Sequence, residues 1–155
     1  MPVTFKLTSA VADLDRRSFA LADPTILRPA TSANPLVMGE WLDLTTAYKM
    51  QRGSGDLSVP SWPYFAEEGR YEVQAIEKGP FLYMGQFEAD TMVFDGAAIS
   101  AIGQPLFVGD VTYGSIAGRK GLKGIAGPST EVAIGFVTRL PASNNGWLRF
   151  IRNNV

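Results

Sequence analysis

Glycine and proline cut this chain into short pieces. Sixteen of its 155 residues are glycine and ten are proline, together about 17% against an average near 12%. They fall between apolar stretches of only a few residues. Intervals of that length suit β-strands, whose usual span is about 3–10 residues, and starve helices, which are marginal in water below about 12–15 residues. Val3, Phe5 and Leu7 alternate with Thr4, Lys6 and Thr8, the period of a strand with one face buried. Tyr71, Val73 and Ala75 alternate less perfectly with Glu72, Gln74 and Glu77 before Gly79-Pro80, again a strand. Further strands are predicted at 81–88, 91–94, 105–108, 131–139 and 147–152. In the last, Trp147, Arg149 and Ile151 face one way and Leu148, Phe150 and Arg152 the other, which predicts partial cover on both faces. Helical patterning is confined to Ala10–Leu14, beside Asp15, Arg16 and Arg17, and reads as a turn.

The prediction is an all-β protein: a small β-barrel or β-tulip-like domain with an extended N-terminal arm. A single domain spans 1–155, with a strand and a Pro-rich arm in 1–39 and the barrel core in 40–155. A chain of this length buries about 68–70% of the surface its unfolded form exposes, so neither a disulfide nor a metal is needed for folding. Cysteine and histidine are both absent, which removes thiolate nucleophiles, Ser-His-Asp and Cys-His arrangements, and thiolate or imidazole zinc sites. No cofactor or metal is expected. The net charge of −1 and a pI near 5.4 do not make the footprint of a general nucleic-acid binder. The first residues lack a basic region followed by an apolar run, and no apolar stretch approaches the roughly 20 residues of a membrane helix. A soluble chain made inside the cell is expected, with neither nucleic acid nor membrane as partner.

Charge is unevenly spread. Residues 1–55 carry six basic and five acidic side chains, 56–110 carry two and nine, and 115–155 carry six and one. The acidic middle and basic end meet either inside one fold or between copies, as complementary rims. Residues 18–39 place three prolines within 12 positions, each disfavouring helix in its predecessor, so an extended arm is predicted. Its Phe19, Leu21, Ile26, Leu27 and Leu36 need cover from the parent barrel or from a neighbouring molecule. In 114–128, glycines at 118, 121, 124 and 127 surround Arg119, Lys120 and Lys123. Four triplets without proline do not make a collagen helix, and no Gly-Lys-Ser or Gly-Lys-Thr follows to form a phosphate loop. A flexible basic hairpin loop is predicted, with anion contact as the alternative.

Catalytic readings are thin. Glu67-Glu68, Glu88 with Asp90, and Asp95 are the carboxylates available for hydrolase chemistry, which requires two carboxyls a few ångströms apart. Adjacent residues on a strand point to opposite faces, so Glu67-Glu68 makes a poor couple. Asp90, Asp95 and Asp110 lack the spacing of a calcium loop. The aromatic run Trp62-Pro63-Tyr64-Phe65 reads first as a core plug, then as an interface anchor, and last as a platform for sugars. No catalytic residue is assigned.

Three stretches carry a family resemblance. Gly85-Gln86-Phe87-Glu88-Ala89-Asp90-Thr91-Met92-Val93-Phe94-Asp95, then Ile102-Gly103-Gln104-Pro105-Leu106-Phe107-Val108, and the ending Ala133-Ile134-Gly135-Phe136-Val137-Thr138-Arg139-Leu140-Pro141 with Gly146-Trp147-Leu148-Arg149-Phe150 resemble the head decoration, or cement, proteins of tailed bacteriophages. A strand, a Gly-x-Pro-Leu-x-Val type of phrase, a Gly-rich excursion and a closing hairpin recur there in this order. The resemblance covers roughly 70–152, and the 18–39 arm agrees in character. It implies a non-enzymatic structural virion protein, made in the cytoplasm of a bacterial host and carried on the outer capsid surface. Such a protein bridges major capsid protein subunits and stabilises the expanded head, as a trimer or, second, a dimer. The expected interface residues are Phe19, Leu21, Ile26, Leu27, Leu36, Trp62, Tyr64, Phe65, Arg119, Lys120 and Lys123. The alternative is a small carbohydrate- or anion-binding β module with Trp62 and Tyr64 as platform and Arg119, Lys120 and Lys123 as clamp.

Overall fold

Alternating side chains decide where strands form and which face each one buries. The computed structural model describes residues 4–10, 15–27, 34–52, 61–65, 78–84, 86–113, 116–124, 133–143 and 146–153. Within them lie β1 (Phe5–Ala10), β2 (Asp15–Leu21), β3 (Trp41–Leu44), β4 (Lys49–Gln51), β5 (Ser61–Pro63), β6 (Lys78–Met84), β7 (Phe87–Thr91), β8 (Phe94–Asp95), β9 (Pro105–Tyr113), β10 (Ile116–Lys123), β11 (Gly135–Arg139) and β12 (Leu148–Arg152). The helical residues described are two 3-10 turns, Pro24–Leu27 and Gly96–Ala98. The protein is all-β. A seven-stranded sheet runs β1-β7-β12-β11-β9-β10-β8, and a five-stranded sheet runs β5-β3-β4-β2-β6. The second sheet curls until Tyr64, just past β5, bridges Phe81 of β6, which covers the edges that an open sheet would leave unpaired.

Aromatic rings join the two sheets into one core. Phe5, Phe87 and Phe150, from three neighbouring strands of the larger sheet, meet edge to face with centroids 6.0–6.3 Å apart. Trp41 of the smaller sheet lies 6.3 Å from Phe150, and Tyr64 meets Phe81 at 5.5 Å. These separations are those at which ring quadrupoles attract. In β12, Leu148, Phe150 and Arg152 are buried while Trp147, Arg149 and Ile151 are half-buried, so both faces are partly covered, as the pattern predicted.

The described residues of 18–39, namely 18–27 and 34–39, do not stand off the body. β2 lies inside the curled sheet, antiparallel to β6 and parallel to β4. Leu21 (3% exposed), Ile26 and Leu36 belong to the main core, and Phe19 packs against it, its ring 6.3 Å from Phe81. The Leu36 N–H donates to the Ile26 carbonyl at 2.7 Å. No α-helix forms among the described residues here, as expected, but Phe19, Leu21, Ile26 and Leu36 are covered by their own chain and need no neighbour. Leu27 ends the first 3-10 turn. The segment therefore cannot be removed as a detachable arm, because a cut before residue 36 takes β1 and β2 with it.

The glycine-rich stretch is corrected as well. Ile116–Lys123 is a strand, antiparallel to β9, and not a hairpin loop. Gly109 and Gly121 face each other across that pair. A Cβ on Gly121 would lie 2.4 Å from the Val93 carbonyl oxygen, and one on Gly109 would meet the Lys123 stem at 2.5 Å. Glycine marks close approach here instead of a break, and so β9 runs on to Tyr113, past the predicted end at 108. Conversely, the predicted 81–88 strand divides, β6 ending at Met84 and β7 starting at Phe87. The strand expected around Tyr71, Val73 and Ala75, the pair Glu67-Glu68 and residues 125–132 lie outside the described residues.

Two substitutions check this packing. Leu21→Ala should cost about 2–5 kcal/mol in urea unfolding, the range for a buried leucine, whereas a leucine on a free arm would change stability within about 0.5 kcal/mol. Gly121→Ala should destabilise by about 1–3 kcal/mol, since the added methyl meets backbone and not a yielding side chain.

Candidate interaction surface

The acidic middle and the basic end meet within the chain. Register aligns Lys6 of β1, Asp90 of β7 and Arg149 of β12 across the sheet. Arg149 donates from Nε and Nη2 to the two Asp90 carboxylate oxygens at 2.8 and 3.0 Å, a fork geometry, and Arg139 of β11 approaches at 3.4 Å. Bidentate pairs of this kind are among the stronger charge-assisted bonds. The Arg149 hydrogen bonds, aided by the charges of Arg149, Arg139 and Lys6, hold the Asp90 carboxyl below its ordinary value against the opposing effect of burial. Lys6 also sits 4.6 Å from the Trp147 ring. Asp90 is thus a structural counter-ion to three cations. Glu88, its neighbour but one, accepts from the Thr8 hydroxyl at 3.1 Å.

A second carboxylate, Glu40, has no solvent exposure at all. It accepts from Arg52 Nε at 2.5 Å and Nη2 at 3.1 Å and from the Val37 N–H at 3.3 Å, with Arg119 Nη1 at 3.8 Å. Arg52 Nη1 donates to the Asn34 carbonyl at 2.8 Å. Burial lowers the Arg119 guanidinium from its ordinary value, and the charge of Glu40 opposes that shift. Burial likewise pushes Arg152 down to about 10. Its guanidinium lies 5.3 Å from the Trp41 ring and donates a long bond to the Ser61 carbonyl at 3.5 Å.

Most of the sequence-predicted interface residues are therefore interior. Arg119 (3% exposed) faces Glu40, and Lys120 (6% exposed) pairs with Asp110 directly across β9 and β10. Neither is a solvated clamp for an external anion. Lys123 is half-buried, its stem lying over Gly109. Tyr64 is a core residue and no platform, while Trp62 and Phe65 are half-buried against the same core. The run Trp62–Phe65 plugs the curled sheet, the first of the readings above. The structure brings Phe19, Leu21, Ile26, Leu36, Tyr64, Trp62 and Phe65 together, but inside.

Among the described residues the exposed large apolar side chains are others: Tyr48 (76%), Ile102 (69%) and Leu140. Tyr48 ends the turn between β3 and β4, with φ at +58°. The Tyr48 N–H donates to the Thr45 carbonyl at 3.0 Å, and the Thr45 N–H to the Lys49 carbonyl at 2.8 Å, so the turn is closed on itself. Left-handed backbone costs an L-residue roughly 1–2 kcal/mol, and glycine or asparagine usually occupies it. Ile102, just before β9, and Leu140, just after β11, stand on loops at the same end of the antiparallel β9–β11 pairing. Leu140 and Pro141 line an open cleft of about 750 Å³ together with Phe94, Asp95, Ile99 and the β9 residues Asp110 and Thr112. No local sequence signal marked Tyr48, because its turn, Thr45-Thr46-Ala47-Tyr48, contains neither glycine, proline nor asparagine. Among the described residues no group of three potential metal ligands occurs, and no helix is long and apolar enough to cross a membrane.

Asp90→Asn should lower stability at neutral pH by about 1–2 kcal/mol, the worth of charge-assisted bonds discounted for partial solvation. Because the folded carboxyl titrates below its ordinary 3.8, its contribution is complete above that pH and fades as the pH falls from there toward the folded value. Urea titrations at several pH values should show wild type and variant converging in that acid range and diverging above it.

Neither a family model, nor a curated protein, nor a solved structure matches this chain.

Proposed function

We propose that the protein is a structural binding protein that decorates the outer surface of a tailed-phage head and stabilises the expanded shell by bridging major capsid protein subunits. The observation that carries this reading is how the chain uses its side chains. Asp90 and Glu40 are each committed to cations of the same chain, while tyrosine, isoleucine and leucine side chains stand exposed at loops. Such a surface is built for contact, since Tyr is enriched where proteins anchor to one another. The resemblance of 85–95, 102–108 and 133–141 with 146–150 to head decoration proteins supports the same reading.

A decoration protein acts on an equilibrium only through its difference in affinity for two shell states. Binding the expanded lattice and not the compact one stabilises expansion by that difference, multiplied over many copies. Each molecule that touches two or three capsid subunits gains from effective concentration, so modest individual contacts suffice.

Heads assembled from the major capsid protein of the same virus, prepared in compact and expanded states, provide the probe. The purified chain should co-sediment saturably with expanded heads, leave compact heads bare, and raise the temperature at which expanded heads rupture. Absence of binding to expanded heads, or equal binding to both states, overturns the proposal.

A further inference from the structure

We infer that Tyr48 and Lys49 of one copy seat in the cleft beside β8 of a second copy, so that the chain associates with itself through two different surfaces. The projecting half is the β3–β4 turn. Tyr48 there is held in the left-handed region with its ring exposed, and Lys49, the first residue of β4, is exposed beside it. A backbone conformation that disfavours tyrosine, kept at a position where its ring gains no core packing, is the kind of local strain that function explains.

The receiving half has the matching chemistry. The cleft is lined by Phe94, Ile99 and Leu140 together with Asp95, Asp110 and Thr112, and it has room for an aromatic side chain. Its charged groups are carboxylates. Asp95 is exposed, its Oδ1 accepting only the Ala97 N–H among the described contacts. Asp110 is held by Lys120 yet keeps more than half of its side chain in solvent. A tyrosine ring carrying a hydroxyl, followed by an ammonium, thus meets a mostly polar cleft with two carboxylates in its lining, which provides charge and hydrogen-bonding complementarity.

Projection and cleft lie on different sheets, so the contact is not between identical patches. Repeated from copy to copy it closes into a ring, or pairs reciprocally in a dimer. Either arrangement needs the same two surfaces.

Complementary variants test this. Wild type should sediment as an oligomer at low salt, with association weakened as salt rises. Tyr48→Gly, which relieves the backbone strain, should melt no lower than wild type yet sediment as a monomer. Leu140→Arg, at an already exposed position, should also give a monomer; if it does not fold, Thr112→Arg introduces the same bulk and charge from the exposed face of β9. The diagnostic step is mixing. Each variant keeps the half that the other lacks, so an equimolar mixture should form a two-chain species that neither forms alone.

A monomeric wild type at its highest soluble concentration, oligomers unaffected by both substitutions, or a mixture that stays monomeric overturns the inference. The outcome is separate from head binding: a monomer that saturates expanded heads overturns only the self-contact, and an oligomer that ignores them overturns only the decoration reading.

Discussion

Glu40 is the interaction on which the rest of the arrangement depends. A carboxylate without solvent contact is tolerated only when paired and hydrogen-bonded, and its partners come from three parts of the chain: Val37 in the segment leading to β3, Arg52 just after β4, and Arg119 in β10 of the other sheet. Removing one partner of such a group leaves a buried charge without compensation, which is far more damaging than the net worth of the pair. The backbone around it is fixed too, with the Tyr64 N–H donating to the Glu40 carbonyl at 2.9 Å and the Gly39 N–H to the Tyr64 carbonyl at 2.8 Å. One residue therefore registers the segment leading to β3, the curled sheet and the larger sheet against one another.

With that knot in place, the division of charge along the sequence becomes a folding device. β7 carries the acidic Asp90 and β11 and β12 the basic Arg139 and Arg149, and the strand order sets them side by side. A charge ladder of this kind favours one register, because a shift by a single residue would turn Asp90 to the opposite face. Charges so engaged are unavailable for aligning copies of the molecule. Among the described residues, the surface retains for contact a projecting tyrosine, two exposed aliphatic side chains and a cleft with two aspartates in its lining.

Much of the fold was legible from local pattern. Alternation in 3–8 and in 147–152 located β1 and β12 and the covered faces of the latter, since a period of two is a direct consequence of the pleat. Gly and Pro marked most strand ends. The reading failed where a local signal has two physical meanings. Gly121 looked like loop punctuation, but glycine is equally the residue that lets the Val93 carbonyl approach a strand. Arg119 and Lys120 looked solvated because cations usually are, and only the arrival of Glu40 and Asp110 from distant parts of the chain makes their burial affordable. The apolar residues of 18–39 were recognised as needing cover, but no local feature says whose.

The amino-acid sequence by itself determined the strand-forming character of the chain, the exclusion of histidine and cysteine chemistry, and the presence of opposite charges in separate stretches, because these follow from residue identity and nearest neighbours. Tertiary structure alone decided which charges pair, that Phe19, Leu21, Ile26 and Leu36 are covered by their own chain, and that Tyr48 is left outside in a disfavoured backbone conformation. Those outcomes depend on contacts between residues far apart in the chain, such as Glu40 with Arg119 or Asp90 with Arg149, and the free energy of such contacts exists only once the chain has closed the loops between them.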